Sequence, residues 1–350
     1  MRVAGIRALG ESVELFEVDE PAAPAAGEVL IDVVAAGIGN WDELVRIGSW
    51  QIGGPAPMAL GTEAAGTVAA TGSSVAELRE GDEVITHPLP LRRHGTWAGR
   101  VLAPAATVAI RPPEASWEAG GAFPIPALTA AQALDEALGI ETGGWVVVNG
   151  AGGVTGGLLV QLAAARGARV IATASAKKAE RIRDYGASEV LDYHGDWTAL
   201  VREITGGGAP KAVNAAREQA ATTLKAVADR GRLATITGDP PREERGVAVS
   251  DVDVRPDGRQ LSALAELLAH GTLSVPIRVR PSVRTGGTSA ARCSRGSGRR
   301  NRPLTPKLAW PLMVAPEICN ALEPSDGLEP TPPYHGGPLR TELRANPPFY

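Results

Sequence analysis

Residues 145–157 read WVVVNGAGGVTGG, an apolar run that breaks into closely spaced glycines and then continues as an alanine- and leucine-rich stretch through Arg166. This order predicts a buried strand, a tight turn and a helix. Gly150, Gly152, Gly153 and Gly156 permit positive φ and carry no side chain. A pyrophosphate can therefore approach the unpaired N–H groups at the positive end of the helix, where Val154 stands in the first turn. A second strand, 169–173, follows within a unit of about 30 residues, as a dinucleotide-binding βαβ unit requires. The glycines are not a strict G-x-G-x-x-G from the first of them, and the competing reading is a glycine-rich helix–strand contact without a ligand.

A chain of 350 residues with 44% apolar residues has the material for about two globular domains. Its net charge of −4 argues against a nucleic-acid surface, and residues 282–350 carry nine Lys/Arg against five Asp/Glu, so the body is the acidic part. Both cysteines, Cys293 and Cys319, lie in that last segment. The body can then form neither a disulfide framework nor a cysteine zinc site, which fits a reducing cytoplasm. The start, MRVAGIRAL, lacks the pattern of a secretory signal, and the apolar stretch 145–165 is too interrupted by glycine to read as a membrane span.

Short β-like runs at Val29–Ala35, Gly66–Ala70 and Glu83–Thr86, separated by Pro/Gly-rich turns, predict a β-rich domain over residues 1–115. From Ser116 the pattern changes. Strands at 145–149, 169–173, 189–191, 211–214, 232–236 and 247–254 alternate with helices near 153–166, 176–185, 196–204, 218–228 and 257–270. Regular βα alternation implies a doubly wound parallel sheet, assigned to residues 116–281. Residues 282–350, first Arg/Gly/Ser-rich and then Pro-rich, lack apolar periodicity and read as a disordered tail.

Taken together, GDEV at 81–84, FPIPALTAAQAL at 123–134, the glycine segment at 149–175 and GASEVLDYH at 186–194 resemble the medium-chain dehydrogenase/reductase superfamily, and within it the zinc-independent quinone oxidoreductase branch. The resemblance runs from residue 1 to about 280. It implies a GroES-like catalytic domain, a Rossmann domain and an active cleft between them. Zinc-dependent members carry a cysteine in the segment matching Gly37–Asp42 and a histidine in the one matching Gly61–Glu63; here Gly39 and Thr62 stand at those positions. Neither offers a thiolate or imidazole, so no metal is expected. Without a Lewis acid, conjugated substrates are the easier ones, since charge left by reduction delocalises to oxygen. The expected activity is NADPH-dependent reduction of a quinone or an α,β-unsaturated carbonyl.

Cofactor choice reads from the end of the second Rossmann strand, where an NAD site places Asp or Glu. This chain has Thr-Ala-Ser-Ala-Lys-Lys at 173–178, which favours NADPH. The resemblance gathers Ser175, Lys177 or Lys178, and Tyr193 around a 2′-phosphate; the alternatives are solvated lysines in a first helical turn and a packed tyrosine. It also places Thr129 near the nicotinamide carboxamide and Thr237–Gly238 near the ribose. Asn214 is either a cofactor contact or a strand-end turn residue. For catalysis, Trp41 and Asp42 match the family's cleft loop and the Thr62 hydroxyl is a candidate donor to a substrate oxygen. Asp42 reads equally well as a helix N-cap. His87 and His94 fall in a Pro-rich loop and read as exposed, and Trp50 and Trp97 are either an aromatic wall or packing.

Two rivals stand beside this reading: an enoyl-thioester reductase, for which Arg92–Arg93 is the tempting phosphate pair, and a catalytically silent NADPH-binding protein like the crystallin-like relatives of the branch. The family's usual closing segment has no match after Pro281, which suggests a frameshift in the coding sequence and a damaged product. The partners expected are a small-molecule acceptor and a second copy of the chain in a homodimer, with neither nucleic acid nor membrane.

Overall fold

The computed structural model describes residues 1–277. The expected disorder of 282–350, and both cysteines, lie outside the described residues. Eight strands come first: β1 (Arg2–Ile6), β2 (Glu14–Glu17), β3 (Glu28–Ala36), β4 (Met58–Ala59), β5 (Ala64–Thr71), β6 (Glu83–Thr86), β7 (Arg100–Pro104) and β8 (Val108–Ile110). They form two antiparallel sheets, ordered β2-β1-β4 and β7-β3-β5-β6-β8. In β3 the later residues alternate between buried and half-buried, because one face packs on a core of Ile31, Val33, Val68 and Val84.

Six further strands follow: β9 (Trp145–Asn149), β10 (Arg169–Ala174), β11 (Glu189–Asp192), β12 (Ala209–Asn214), β13 (Val227–Thr235) and β14 (Ala248–Asp251). All pairings are parallel and the order is β11-β10-β9-β12-β13-β14. Chain order thus reverses between β9 and β12, the switch point beside which doubly wound sheets bind ligands. Val146, Val147 and Val148 are buried because helices cover both faces. The helix Val154–Ala165 is buried along most of its length, whereas Ala176–Asp184 buries only Ile182.

The largest shift of an expected boundary is at β13. β13 starts at Val227 rather than 232, and the helix before it ends at Ala226, where the backbone turns extended. Pairing with β12 shifts register between Ala209 and Lys211, around Arg230 in the left-handed region at φ 61°. Val227 and Ala228, expected in the helix 218–228, thus open the strand instead. Between the two large sheets, Pro124–Ala131 continues into a π-helical stretch, Gln132–Leu138, and a single core joins Ala65 and Ile85 to Leu128, Leu134, Val148 and Leu159.

Candidate nucleotide cradle and the buried polar cluster

The glycine turn lies at the carboxyl end of β9. Gly150 has φ +86°, and a Cβ there would meet the Ala215 backbone at 2.9 Å. A Cβ at Gly156 would fall on the Gly150 carbonyl and 2.8 Å from Ala151 Cα, so this glycine lets the helix start close against the strand. Gly153 is different. Its φ is −80°, it is exposed, and a Cβ would meet nothing nearer than the Gly150 oxygen at 3.7 Å. The space above the turn is open, and the first-turn N–H groups of Val154 and Thr155 have no intrahelical partner. An open, side-chain-free mouth at a helix N-terminus fits a pyrophosphate.

Beneath the turn runs a side-chain network that the sequence did not disclose. Thr173 Oγ1 accepts from Gly150 N at 2.9 Å and donates to Asn149 Oδ1 at 2.6 Å. Asn149 Nδ2 donates to Asn214 Oδ1 and Thr223 Oγ1, at 3.0 and 2.9 Å. Asn214 Nδ2 in turn reaches Thr237 Oγ1 at 2.9 Å, and Thr235 Oγ1 donates to Asp239 Oδ1 at 3.0 Å. This chain of bonds ties the ends of β10, β9, β12 and β13 together. Asn214 is fully buried with both side-chain amide atoms engaged inside the protein, which leaves its backbone as the part that could face a cofactor. Thr237 is bound to Asp239, while Gly238 has φ +69° and open space around its Cα. Asn214→Ala would strand several buried donors and acceptors. We expect a loss of about 3 kcal/mol in urea unfolding.

Parallel pairing of Ala174 with Asp192 sets the next residues, Ser175 and Tyr193, at neighbouring strand ends. Tyr193 is exposed and its ring lies 4.1 Å from that of His194. Ser175 is the N-cap of Ala176–Asp184 but makes no capping bond. Lys177 and Lys178 occupy the first turn, and the Lys178 chain lies over Gly152, its Cδ 2.9 Å and Nζ 3.6 Å from where a Cβ would be. Two cations at the positive end of a helix are locally unfavourable unless an anion joins them. Thr129 donates its hydroxyl proton to Ile125 O at 2.7 Å, leaving the oxygen only as an acceptor.

The second cluster surrounds Gly61–Glu63. Asp42 is not the N-cap: Gly39 is, and Asp42 Oδ2 reaches back from the third helical position to accept from Gly39 N at 2.8 Å. Burial pushes the Asp42 carboxyl up to about 7, against the pull of the backbone N–H groups of Gly39 and Gly61. Glu63, buried and accepting from Ile125 N at 2.8 Å, is raised well above the usual carboxylate range by burial, with the Asp42 charge adding to the effect. Gly37 leaves the room its carboxylate fills.

His87 overturns its expectation of exposure: it is fully buried, with Nδ1 2.7 Å from Thr62 O. A carbonyl only accepts, so Nδ1 carries the proton and Nε2 a lone pair. Burial lowers this imidazole to about 4, keeping it neutral. His94 is half-buried, its Nδ1 accepting from Ala59 N at 3.3 Å.

Trp41 Nε1, Asp42 Oδ1, Thr62 Oγ1 and His87 Nε2 are all buried without a partner. Thr62 is fully buried, its hydroxyl facing inward without a partner. Trp97 donates to Gly37 O at 2.9 Å and braces this loop, a packing role rather than an open wall. Among the described residues no three His, Cys, Asp or Glu side chains come together to hold a metal, and no helix is long and apolar enough to cross a membrane. A hollow of about 350 Å³, lined by Gln51, Ile52, Gly53, Leu89, Pro90 and Pro256, opens beside the loop that follows His87.

Residues 25–114 match the alcohol dehydrogenase GroES-like domain, and residues 154–256 match the zinc-binding dehydrogenase domain. The chain is 31% identical over 190 residues to the synaptic vesicle membrane protein VAT-1 homolog of Rattus norvegicus, a match covering 54% of this chain and 46% of that protein. It is 34% identical over 190 residues to the quinone oxidoreductase of Salmonella typhimurium, covering 53% and 57%. The chain thus spans about half the length of the curated relatives it matches. Among solved structures, the quinone oxidoreductase of Escherichia coli complexed with NADPH superposes with a TM-score of 0.68 at 25% identity, covering 79% of this chain and 90% of that chain.

Proposed function

We propose, from the premise that this chain belongs to the medium-chain dehydrogenase/reductase superfamily, that it is an NADPH-dependent reductase of quinones or α,β-unsaturated carbonyls. The observation that carries the reading is the open glycine turn at the switch point with the Lys178 chain laid over it. The quinone oxidoreductase relatives support the same class of activity. NADPH bound there would supply the two electrons and one hydrogen that a conjugated acceptor takes up.

The chain's own residues divide the remaining work. Gly150, Gly152, Gly153, Val154 and Gly156 leave the pyrophosphate a mouth lined by backbone donors. Ser175, Lys177, Lys178 and Tyr193 would gather on the 2′-phosphate. Thr129 would accept from the carboxamide, and the Thr237–Gly238 turn would pass the ribose. The hollow beside Leu89 offers apolar walls to the acceptor. Trp41, Asp42 and Thr62 would act at the acceptor end once their loops part. The Asp42 carboxyl, which burial raises well above the ordinary carboxylate range in the closed loops, is the candidate holder of the proton that completes the reduction.

Gly39 and Thr62 leave two zinc-ligand positions without a metal donor, so the acceptor is a conjugated one. The thioester reading loses its phosphate pair in part, since Arg92 is ion-paired with Glu28 at 2.6 Å. In this reading residues 1–115 form the catalytic domain and 116–281 the nucleotide domain of a homodimer in a reducing cytoplasm.

The test is a fluorescence titration of the full chain with NADPH and NADH, followed by addition of a quinone and an enone. NADPH should bind more tightly and be oxidised by either acceptor. Lys177→Ala combined with Lys178→Ala should weaken NADPH about tenfold or more and leave NADH nearly unchanged. Tighter NADH binding by the unaltered chain would refute the cofactor assignment, and binding without turnover would favour a silent binding protein.

A further inference from the structure

We propose that Arg181 is a positioning residue for the nucleotide, holding the glycine turn in its phosphate-receiving shape from behind. The inference rests on the nucleotide reading above and adds a residue that no motif singled out. From the helix Ala176–Asp184, Arg181 Nη2 donates to Gly152 O at 3.0 Å. The 152–153 peptide is trans, so its carbonyl and the following N–H point in opposite directions. The carbonyl end is held by the guanidinium. The amide end meets only Gly150 O, at a long 3.3 Å.

With glycine on both sides, nothing else restricts rotation of that peptide. A charge-assisted bond is the stronger restraint, so Arg181 fixes the plane from which the chain enters the helix at Val154. The same helix makes a second grip. The guanidinium lies 5.8 Å from the centroid of the Tyr185 ring, and that ring sits 3.0 Å from where a Cβ on Gly157 would be. Arg181 Nε is buried without a partner, and among the described residues the guanidinium donates a single hydrogen bond, the one to the turn. Arg181 and Tyr185 therefore clasp the turn and the start of the next helix together, while Lys178, one turn back, lies over Gly152.

This placement separates two effects. Arg181 acts on the turn that receives the pyrophosphate, a group common to NADH and NADPH. Lys178 acts on the phosphate that only NADPH carries.

The experiment compares the full chain with its Arg181→Gln, Arg181→Lys and Lys178→Ala variants, measuring dissociation constants for NADPH and NADH and the thermal midpoint without nucleotide. Arg181→Gln should weaken both nucleotides by the same factor, about tenfold. Arg181→Lys should recover part of the loss, and Lys178→Ala should weaken NADPH alone. Loss of NADPH binding only, on Arg181→Gln, would make Arg181 a direct phosphate ligand and overturn the inference. Unchanged constants with a lowered midpoint would reduce it to a structural contact. If Arg181→Gln does not fold, equal affinities in Arg181→Lys and the unaltered chain overturn it. An unaltered chain that binds neither nucleotide defeats the functional reading and this inference with it; one that binds both while the variants match it defeats this inference alone.

Discussion

Gly156→Ala is expected to destabilise the chain by about 3 kcal/mol in urea unfolding and to abolish nucleotide binding, whereas Gly153→Ala, three residues earlier, leaves stability within about 0.5 kcal/mol. The contrast follows from what the added methyl meets. At 156 it falls on the Gly150 carbonyl and against Ala151 Cα, both backbone, so the helix must move off the strand. At 153 the backbone is extended and the nearest atom is 3.7 Å away, an ordinary contact. The methyl then occupies only the mouth of the turn, so Gly153→Ala should weaken NADPH about tenfold with an unchanged unfolding midpoint. A Gly153→Ala variant that binds NADPH as tightly as the unaltered chain would mean that no phosphate sits there.

The second large effect concerns pH. Between pH 4 and about 7 the folded chain keeps on Asp42 a proton that the unfolded chain has released, because burial raises this carboxyl from 3.8 to about 7. Stability therefore falls as pH rises through that window, and Glu63, raised as well, adds to the fall. His87 acts in the opposite sense. Its folded value is lowered from 6.5 to about 4, so between those values the unfolded chain binds a proton that the folded chain does not, and stability falls as pH drops.

Asp42→Asn should match the unaltered chain near pH 4 and exceed it by up to about 4 kcal/mol at pH 8, the worth of a shift of about three units. His87→Gln should remove the acid-side loss and steepen the decline toward neutral pH. Urea unfolding at a series of pH values measures both. Parallel profiles for Asp42→Asn and the unaltered chain would show that this carboxyl ionises at its ordinary value.

Much of the doubly wound half was legible because its signals are local. Valine runs at 145–149, the left-handed glycine at 150 and βα alternation at regular spacing each depend on neighbours a few residues away. Within that half the start of β13 at 227 escaped, since its first residues lack a period and pair only through a register shift with β12. In the other half the sequence located Trp41, Asp42 and Thr62 only through resemblance. It misjudged His87, because a histidine followed by a proline-rich stretch gives no local sign of burial; its hydrogen-bond partner is Thr62, 25 residues away.

The sequence by itself determined the βα order of the doubly wound half, the glycine turn and the lysines at a helix start. Only the tertiary structure decided that Asp42 and Glu63 share one buried site, that Asn149, Thr173, Asn214 and Asp239 belong to one hydrogen-bonded network, and that Arg181 reaches Gly152. The reason is physical. Strand, turn and helix preferences act over a few residues along the chain, whereas burial and side-chain pairing depend on which distant segments the sheets bring together, and a linear pattern carries no record of that.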